Sequence, residues 1–180
     1  MNSKILVAYA TKHGATKEIA EKIGEILRQS GHTVDISPVK QVSDLKSYEA
    51  VVLGSGVYIG QWRKEAGAFI KLFKKELAER PVWFFSSGPT GEGDPVKLTK
   101  GWSFPKSLLP VADYIQPRGV VVFHGDLDEE KLSTLEKWAL KKVKAPLGDF
   151  RDWDAIAAWA AKIAEALKNE LPGDKTEAET

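Results

Sequence analysis

The chain has 180 residues, enough for one domain that buries roughly 70% of the surface its unfolded form exposes. Its 26 Lys and Arg balance 25 Asp and Glu, which argues against the strong field of a nucleic-acid binder. With no cysteine and three histidines far apart (His13, His32 and His124), disulfides, thiolate chemistry and iron–sulfur ligation are excluded and a metal site has little material.

In chain order, apolar β-type runs alternate with helical patterns. Met1–Lys4 leads into a first strand, Ile5–Ala10, too short for a signal sequence or a membrane span, so the expected location is cytoplasmic. A helix follows from about Thr16 to Ser30, with Ile19, Ile23, Ile26 and Leu27 at helical spacing and Gly31 as its stop. His32–Ile36 alternates as a short edge strand. Ala50–Gly54 is a continuous apolar run, expected to be a central strand buried on both faces. A helix over about Lys64–Glu79 carries Ala68, Phe69, Leu72, Phe73 and Leu77 on one side. Pro81–Ser86 and Gly119–Phe123 are the fourth and fifth strands. The connection between them, Ser87 to Arg118, is rich in glycine and proline and reads as loop with one short helix, and a long irregular connection in a small domain is more often functional than not. Helices over Glu129–Lys144 and Asp154–Leu171 close the chain. Asp152 is placed to cap the last of these, with Asp154 in its first turn, and Trp83, Trp153 and Trp159 read as core. Five strands, each followed by a helix or a helix-sized connection, predict an α/β fold of the flavodoxin-like, doubly wound type: a parallel sheet in order 2-1-3-4-5 with helices on both faces. The expected domain is 1–171, with Pro172–Thr180 a polar, disordered tail.

Ligands of such a sheet bind beyond the carboxyl ends of the strands, beside the first and third, so three loops carry the chemistry. In Thr11-Lys12-His13-Gly14-Ala15-Thr16, Gly14 allows a tight turn, the following helix offers unpaired N–H groups to an anion, and Thr11 and Thr16 add hydroxyls. The spacing matches neither the P-loop nor the dinucleotide glycine pattern; it suits a phosphate monoester such as that of FMN, beside the plainer reading of a threonine-capped turn. Lys12 and His13 either offset the phosphate charge or are simply solvated.

This loop resembles the phosphate loop of flavodoxins. Gly54-Ser55-Gly56-Val57-Tyr58-Ile59-Gly60-Gln61-Trp62, Val82-Trp83-Phe84-Phe85-Ser86-Ser87-Gly88-Pro89 and Gly148-Asp149-Phe150-Arg151-Asp152-Trp153-Asp154-Ala155-Ile156 resemble one branch of that superfamily, the proteins related to menaquinone-dependent protoporphyrinogen oxidase. The resemblance implies bound FMN and oxidoreductase activity. It implies that Ser55, Gly56, Val57, Tyr58, Ile59, Gly60 and Trp62 form a second loop along the isoalloxazine, with Tyr58 and Trp62 able to stack. The alternative for Trp62 is packing under the next helix. Ser86, Ser87, Gly88, Pro89, Thr90 and Gly91 form the third loop, at the flavin's pyrimidine edge. Trp102, Phe104, Leu108 and Leu109 are either an apolar lid over the flavin or a satellite core.

Because the flavin performs the electron chemistry, no catalytic acid or base is required. The favoured reading is an FMN-dependent oxidoreductase taking electrons from an organic substrate, with protoporphyrinogen the candidate, and passing them to a quinone. The alternative is a flavodoxin-type shuttle between protein redox partners, although such shuttles are acidic and this chain is not. A third is a domain that has lost its cofactor and serves as an interaction module. Leu132, Leu135, Trp138, Leu140 and Val143 beside Lys137, Lys141, Lys142 and Lys144 fit either a helix touching the inner membrane face or a core-facing helix with a lysine-rich outside. The oligomeric state is left open.

Overall fold

Strand β1 (Lys4–Ala10) is buried from Ile5 onward, as a continuous apolar run in a parallel sheet must be. It lies inside the sheet, between the second and third strands of the chain, in the computed structural model of the protein, which describes residues 4–170; the expected tail, Pro172–Thr180, lies outside them. The chain continues through α1 (Ala15–Gln29), β2 (Thr33–Pro38), β3 (Ala50–Tyr58), β4 (Gln61–Trp62), α2 (Lys64–Leu72), α3 (Lys74–Ala78) and β5 (Val82–Ser87). Then come α4 (Pro95–Leu98), α5 (Leu109–Ile115), β6 (Gly119–Phe123), β7 (Asp126–Leu127), α6 (Thr134–Val143), β8 (Gly148–Asp149) and α7 (Trp153–Glu170).

The parallel strands are ordered β2-β1-β3-β5-β6, the expected doubly wound order with one addition: β3 runs past the sheet and folds back on β4 as a two-residue hairpin. Val7 pairs with Ile36 on one side and Val52 on the other, and Leu53 with Phe84. Alternate side chains feed opposite faces. Leu6, Ala8, Val51, Leu53 and Phe84 pack with Phe69, Phe73, Leu77, Leu108 and Ile115. Ile5, Val7, Val52 and Phe85 pack with Ile19, Ile23 and Leu27 of α1 and Ile156, Ile163 and Leu167 of α7.

Several expectations are corrected. The helix read as Lys64–Glu79 is two, α2 and α3, broken at Phe73, and its buried face is Ala66, Phe69, Ile70, Phe73 and Leu77. Ala68 and Leu72 are exposed: the buried stripe follows the 66, 70, 73, 77 spacing, and the other residues with similar apolar content lie beside it. The Ser87–Arg118 connection contains two short α-helices and a 3-10 turn at Lys106–Leu108, and α5 covers one face of the sheet as the crossover into β6. The reading of its apolar residues as a lid is overturned. Phe104 stacks on Phe84 with centroids 5.5 Å apart and Leu108 is buried in the core, whereas Leu109 is exposed. The Trp102 indole N–H donates to the Gly60 carbonyl at 3.0 Å, bracing the β3–β4 hairpin from behind.

Trp83 is core and Trp159 packs edge-on against Phe123, but Trp153 is exposed, with the Arg151 guanidinium 4.7 Å from its ring centroid. Asp152 caps α7 by accepting the Ala155 N–H at 2.9 Å. The helix expected over Glu129–Lys144 is shortened to α6, and no described side chain of α6 joins either core. No helix among the described residues is long and apolar enough to cross a membrane.

Candidate functional site

The three loops at the carboxyl ends of β1, β3 and β5 meet around a cavity of about 460 Å³, inside the roughly 300–1,000 Å³ range of small-molecule sites. From the first loop, Thr11, Lys12, His13, Ala15 and Thr16 line it. Gly14 does not, but it makes the loop: its φ of 98° lies in the left-handed region that a side chain resists, and its N–H donates to the Thr11 hydroxyl oxygen at 3.0 Å. The first backbone bond of α1 runs from Glu18 N–H to the Gly14 carbonyl. The N–H groups of the preceding turn are therefore without helical partners and carry the positive end of the helix dipole. Thr16, buried in that turn, stands so near β3 that a Cβ on Gly56 would lie 3.2 Å from its hydroxyl.

From the second loop, Gly56, Val57, Tyr58 and Ile59 line the cavity, whereas Ser55, Gly60 and Trp62 lie behind its wall. Ser55 is fully buried, accepts the Arg63 N–H at 2.9 Å and donates to the Gly56 carbonyl, pinning the base of the hairpin. Trp62 is turned into the core, its indole N–H donating to Ser86 at 2.8 Å and its ring edge-on to Phe84 and Phe104. The structure therefore favours packing over stacking for Trp62, because a buried indole is held by its one donor. Tyr58 remains at the wall with the Lys12 ammonium 5.7 Å from its ring centroid. The hairpin tip is Ile59-Gly60, both at positive φ, 49° and 67°. A β-branched residue in that region is strained, and Ile59 is 91% exposed.

From the third loop, Ser87, Gly88 and Thr90 line the cavity, and Ser86, Pro89 and Gly91 do not. Pro89 serves the frame: its carbonyl accepts the Gly125 N–H at 3.0 Å and lies 3.2 Å from His124 Nδ1, while His124 Nε2 lies 2.8 Å from the Gly93 carbonyl. Gly125 passes so close to this loop that a Cβ would meet the Gly88 carbonyl oxygen at 2.9 Å.

Sequence reasoning missed the fourth wall. Gly125, Asp126, Leu127, Leu132, Ala139, Leu140 and Ala145 line the cavity from the β6–α7 connection, and Arg63 from the start of α2. The β7–β8 pair brings the ends of this connection together, Asp126 opposite Asp149. Arg151, its side chain almost wholly buried, bonds Asp149 at 2.7 Å, Glu18 at 2.6 Å and the Ala15 carbonyl at 3.3 Å, which fastens the connection to the first turn of α1. The Arg151 guanidinium bonded to Asp149 holds that carboxyl below its usual range. Between these anchors α6 spans the cavity, inner residues Ala139 and Leu140 facing it and Leu135 and Trp138 turned out to solvent, 73% and 57% exposed.

Glu136 of α6 reaches back to the first loop. Its Oε1 accepts a hydrogen bond from Lys12 Nζ and lies 3.1 Å from His13 Nε2, and its Oε2 accepts the Ser133 N–H at 2.9 Å. Burial would raise its carboxyl, but the bonds from Lys12, Ser133 and His13 outweigh that and hold it well below the usual carboxylate range. The cavity thus has one end of helix N–H groups, two threonine hydroxyls and basic side chains, and an apolar body roofed by α6. These residues fit a phosphate monoester carried on a planar, largely apolar group.

The comparisons agree with this geometry. The family model described as Flavodoxin domain matches residues 6–154. Over 172 residues, 89% of this chain and 94% of the other, the sequence is 22% identical to the Escherichia coli K12 protein named protoporphyrinogen IX dehydrogenase [quinone]. Over 90 residues, 38% of this chain and 45% of the other, it is 29% identical to the NAD(P)H dehydrogenase (quinone) of Cupriavidus metallidurans. Among solved structures, an archaeal flavodoxin superposes with a TM-score of 0.58 at 15% identity, covering 92% of this chain and 99% of that one. The rubredoxin oxygen:oxidoreductase of Desulfovibrio gigas superposes with a TM-score of 0.60 at 18% identity, covering 94% of this chain and 37% of that one. The chain belongs to the flavodoxin domain family.

Proposed function

We propose that the protein is an FMN-dependent oxidoreductase that takes electrons from an organic substrate and delivers them to a quinone. Protoporphyrinogen is the substrate candidate. The observation that carries the reading is the likeness along nearly the whole length of both chains to a quinone-linked protoporphyrinogen dehydrogenase, in a protein whose cavity is roofed by the apolar inner face of α6. A docking shuttle needs only an accessible flavin edge, whereas a roofed cavity gives an organic substrate a place to bind.

The N–H groups at the start of α1 and the hydroxyls of Thr11 and Thr16 would hold the phosphate, with Lys12 adding charge. Val57, Tyr58 and Leu140 would enclose the ring, and Gly88 and Gly125 would let backbone approach its edge. When bound, FMN supplies the electron acceptor and donor. The chain's own contribution is placement and exclusion of water: Leu132, Ala139 and Leu140 cover the cavity, and Trp62 and Ser86 keep the wall behind it fixed. The outer face of α6, with Leu135 and Trp138 beside Lys137, Lys141 and Lys142, suits an anionic membrane surface where quinone resides.

Anaerobic stopped-flow mixing tests this reading. The reduced protein should pass electrons to a menaquinone analogue, faster in anionic than in neutral vesicles, and protoporphyrinogen should reduce the oxidised protein. If neither compound reacts while a ferredoxin exchanges electrons quickly, the protein is a shuttle and the enzyme reading fails.

A further inference from the structure

Glu136 divides its carboxylate between two tasks. Oε2 closes the capping box with Ser133, which is local to α6. Oε1 takes Lys12 and His13, from a loop 124 and 123 residues earlier. A capping box is complete without distant cations, and a buried carboxylate is tolerated only when paired. The link to Lys12 and His13 therefore needs its own explanation, and the explanation lies in what α6 covers. The ends of the connection are fastened by the β7–β8 pair and Arg151. Among the described residues, the side-chain hydrogen bonds from α6 to the opposite wall of the cavity all come from Glu136.

We propose that Lys12, His13 and Glu136 form a latch that holds α6 closed over the cavity, and that the phosphate of a bound flavin draws on the same two basic side chains, so that closing the lid and holding the phosphate compete. The part that concerns the phosphate rests on the FMN reading above. A carboxylate beside the phosphate loop opposes a second anion there, and a phosphate that engages Lys12 weakens its hold on Glu136; by linkage the two effects are equal. The lid is then tightest without the phosphate, and a seated cofactor eases its opening to substrate.

Hydrogen exchange of the α6 amides reads the lid, and the rate of flavin loss, followed by fluorescence, reads the site. Both are measured on protein carrying FMN and on the same protein exchanged into riboflavin. With FMN bound, α6 should exchange at least about fivefold faster than with riboflavin, the lower end of usual coupling between sites. In Glu136→Gln, α6 should exchange fast with either flavin, and the preference for retaining FMN over riboflavin should rise. In Lys12→Met, α6 should also open although the capping box is intact, and the FMN preference should fall; Lys12→Arg should restore slow exchange. If Lys12→Met leaves α6 unchanged, Glu136 is only a helix cap and the latch is refuted. Equal lid exchange with FMN and riboflavin in the unaltered protein refutes the competition. If the unaltered protein retains both flavins equally, the phosphate assignment fails, while the response of α6 to Lys12→Met still decides the latch.

Discussion

Thr16 is buried in the first turn of α1 and sits within a side-chain's width of Gly56, at the seam between the first and second loops. On the proposed FMN reading its hydroxyl serves the phosphate, so Thr16→Ala should weaken FMN by about 1.5–3 kcal/mol, the worth of a hydrogen bond to a charged group, and leave riboflavin nearly unaffected. Parallel titrations with the two flavins check this; equal losses would mean that Thr16 acts through the fold. At the same scale the sequence was clearest where a residue type has one physical use. Gly14 at a left-handed turn and Asp152 as a helix cap could be read directly. Trp62 could not, because an indole suits a flavin face and a core equally well, and the choice was made by Ser86, 24 residues away, accepting its N–H. Gly125 was passed over because its role is a close approach to Gly88, a contact across two strands that no local pattern announces. Gly125→Ala should force the third and fourth walls apart and lower flavin affinity at least tenfold, about 1.4 kcal/mol, with thermal unfolding of the sheet shifted far less. An unchanged flavin titration would show that the neighbouring loop simply gives way.

Helix α6 is the element whose purpose the sequence concealed. Its lysine-rich exterior and apolar stripe match a helix lying on a sheet, and the periodicity holds no record of what the inner face covers. At Trp102 and Leu108 the sequence left a lid and a core cluster both open, and the core alternative holds because the crossover from β5 to β6 has to cover the sheet. Both ambiguities have one cause: amphipathic pattern reports that a face is buried, not against what. The latch gives α6 a pH response whose sign follows from Glu136. Its carboxyl is held below its ordinary value near 4.5, so the closed lid has its full stabilisation above that value and loses it only as pH falls through the depressed one. The groups facing the carboxylate are Lys12, His13 and the Ser133 backbone and hydroxyl. With riboflavin bound, protection of the α6 amides, corrected for the intrinsic pH dependence of exchange, should hold down to about pH 4 and fall below it, and Glu136→Gln should remove that step. A step centred near the ordinary glutamate value of 4.5 that Glu136→Gln removes would contradict the depressed, paired state of Glu136.

At the scale of the molecule, the parallel order β2-β1-β3-β5-β6 brings residues from the first and the last third of the chain to one cavity. That order was legible because apolar runs are separated by helical patterns or helix-sized connections and right-handed crossovers leave few alternatives. The roof was not, because it is an excursion between β6 and α7 that the sheet does not require. Its anchoring residues, Asp149 and Arg151, lie in Gly148–Ile156, one of the stretches that carried the sequence resemblance, so that stretch marks the attachment of the roof. The central claim is that the cavity is an FMN site. Protein purified under native conditions, then denatured to release its ligand, should yield close to one FMN per chain when the released material is separated and weighed by mass spectrometry. Release of FAD, of a nicotinamide nucleotide, or of no flavin from protein that also fails to take up added FMN would contradict it.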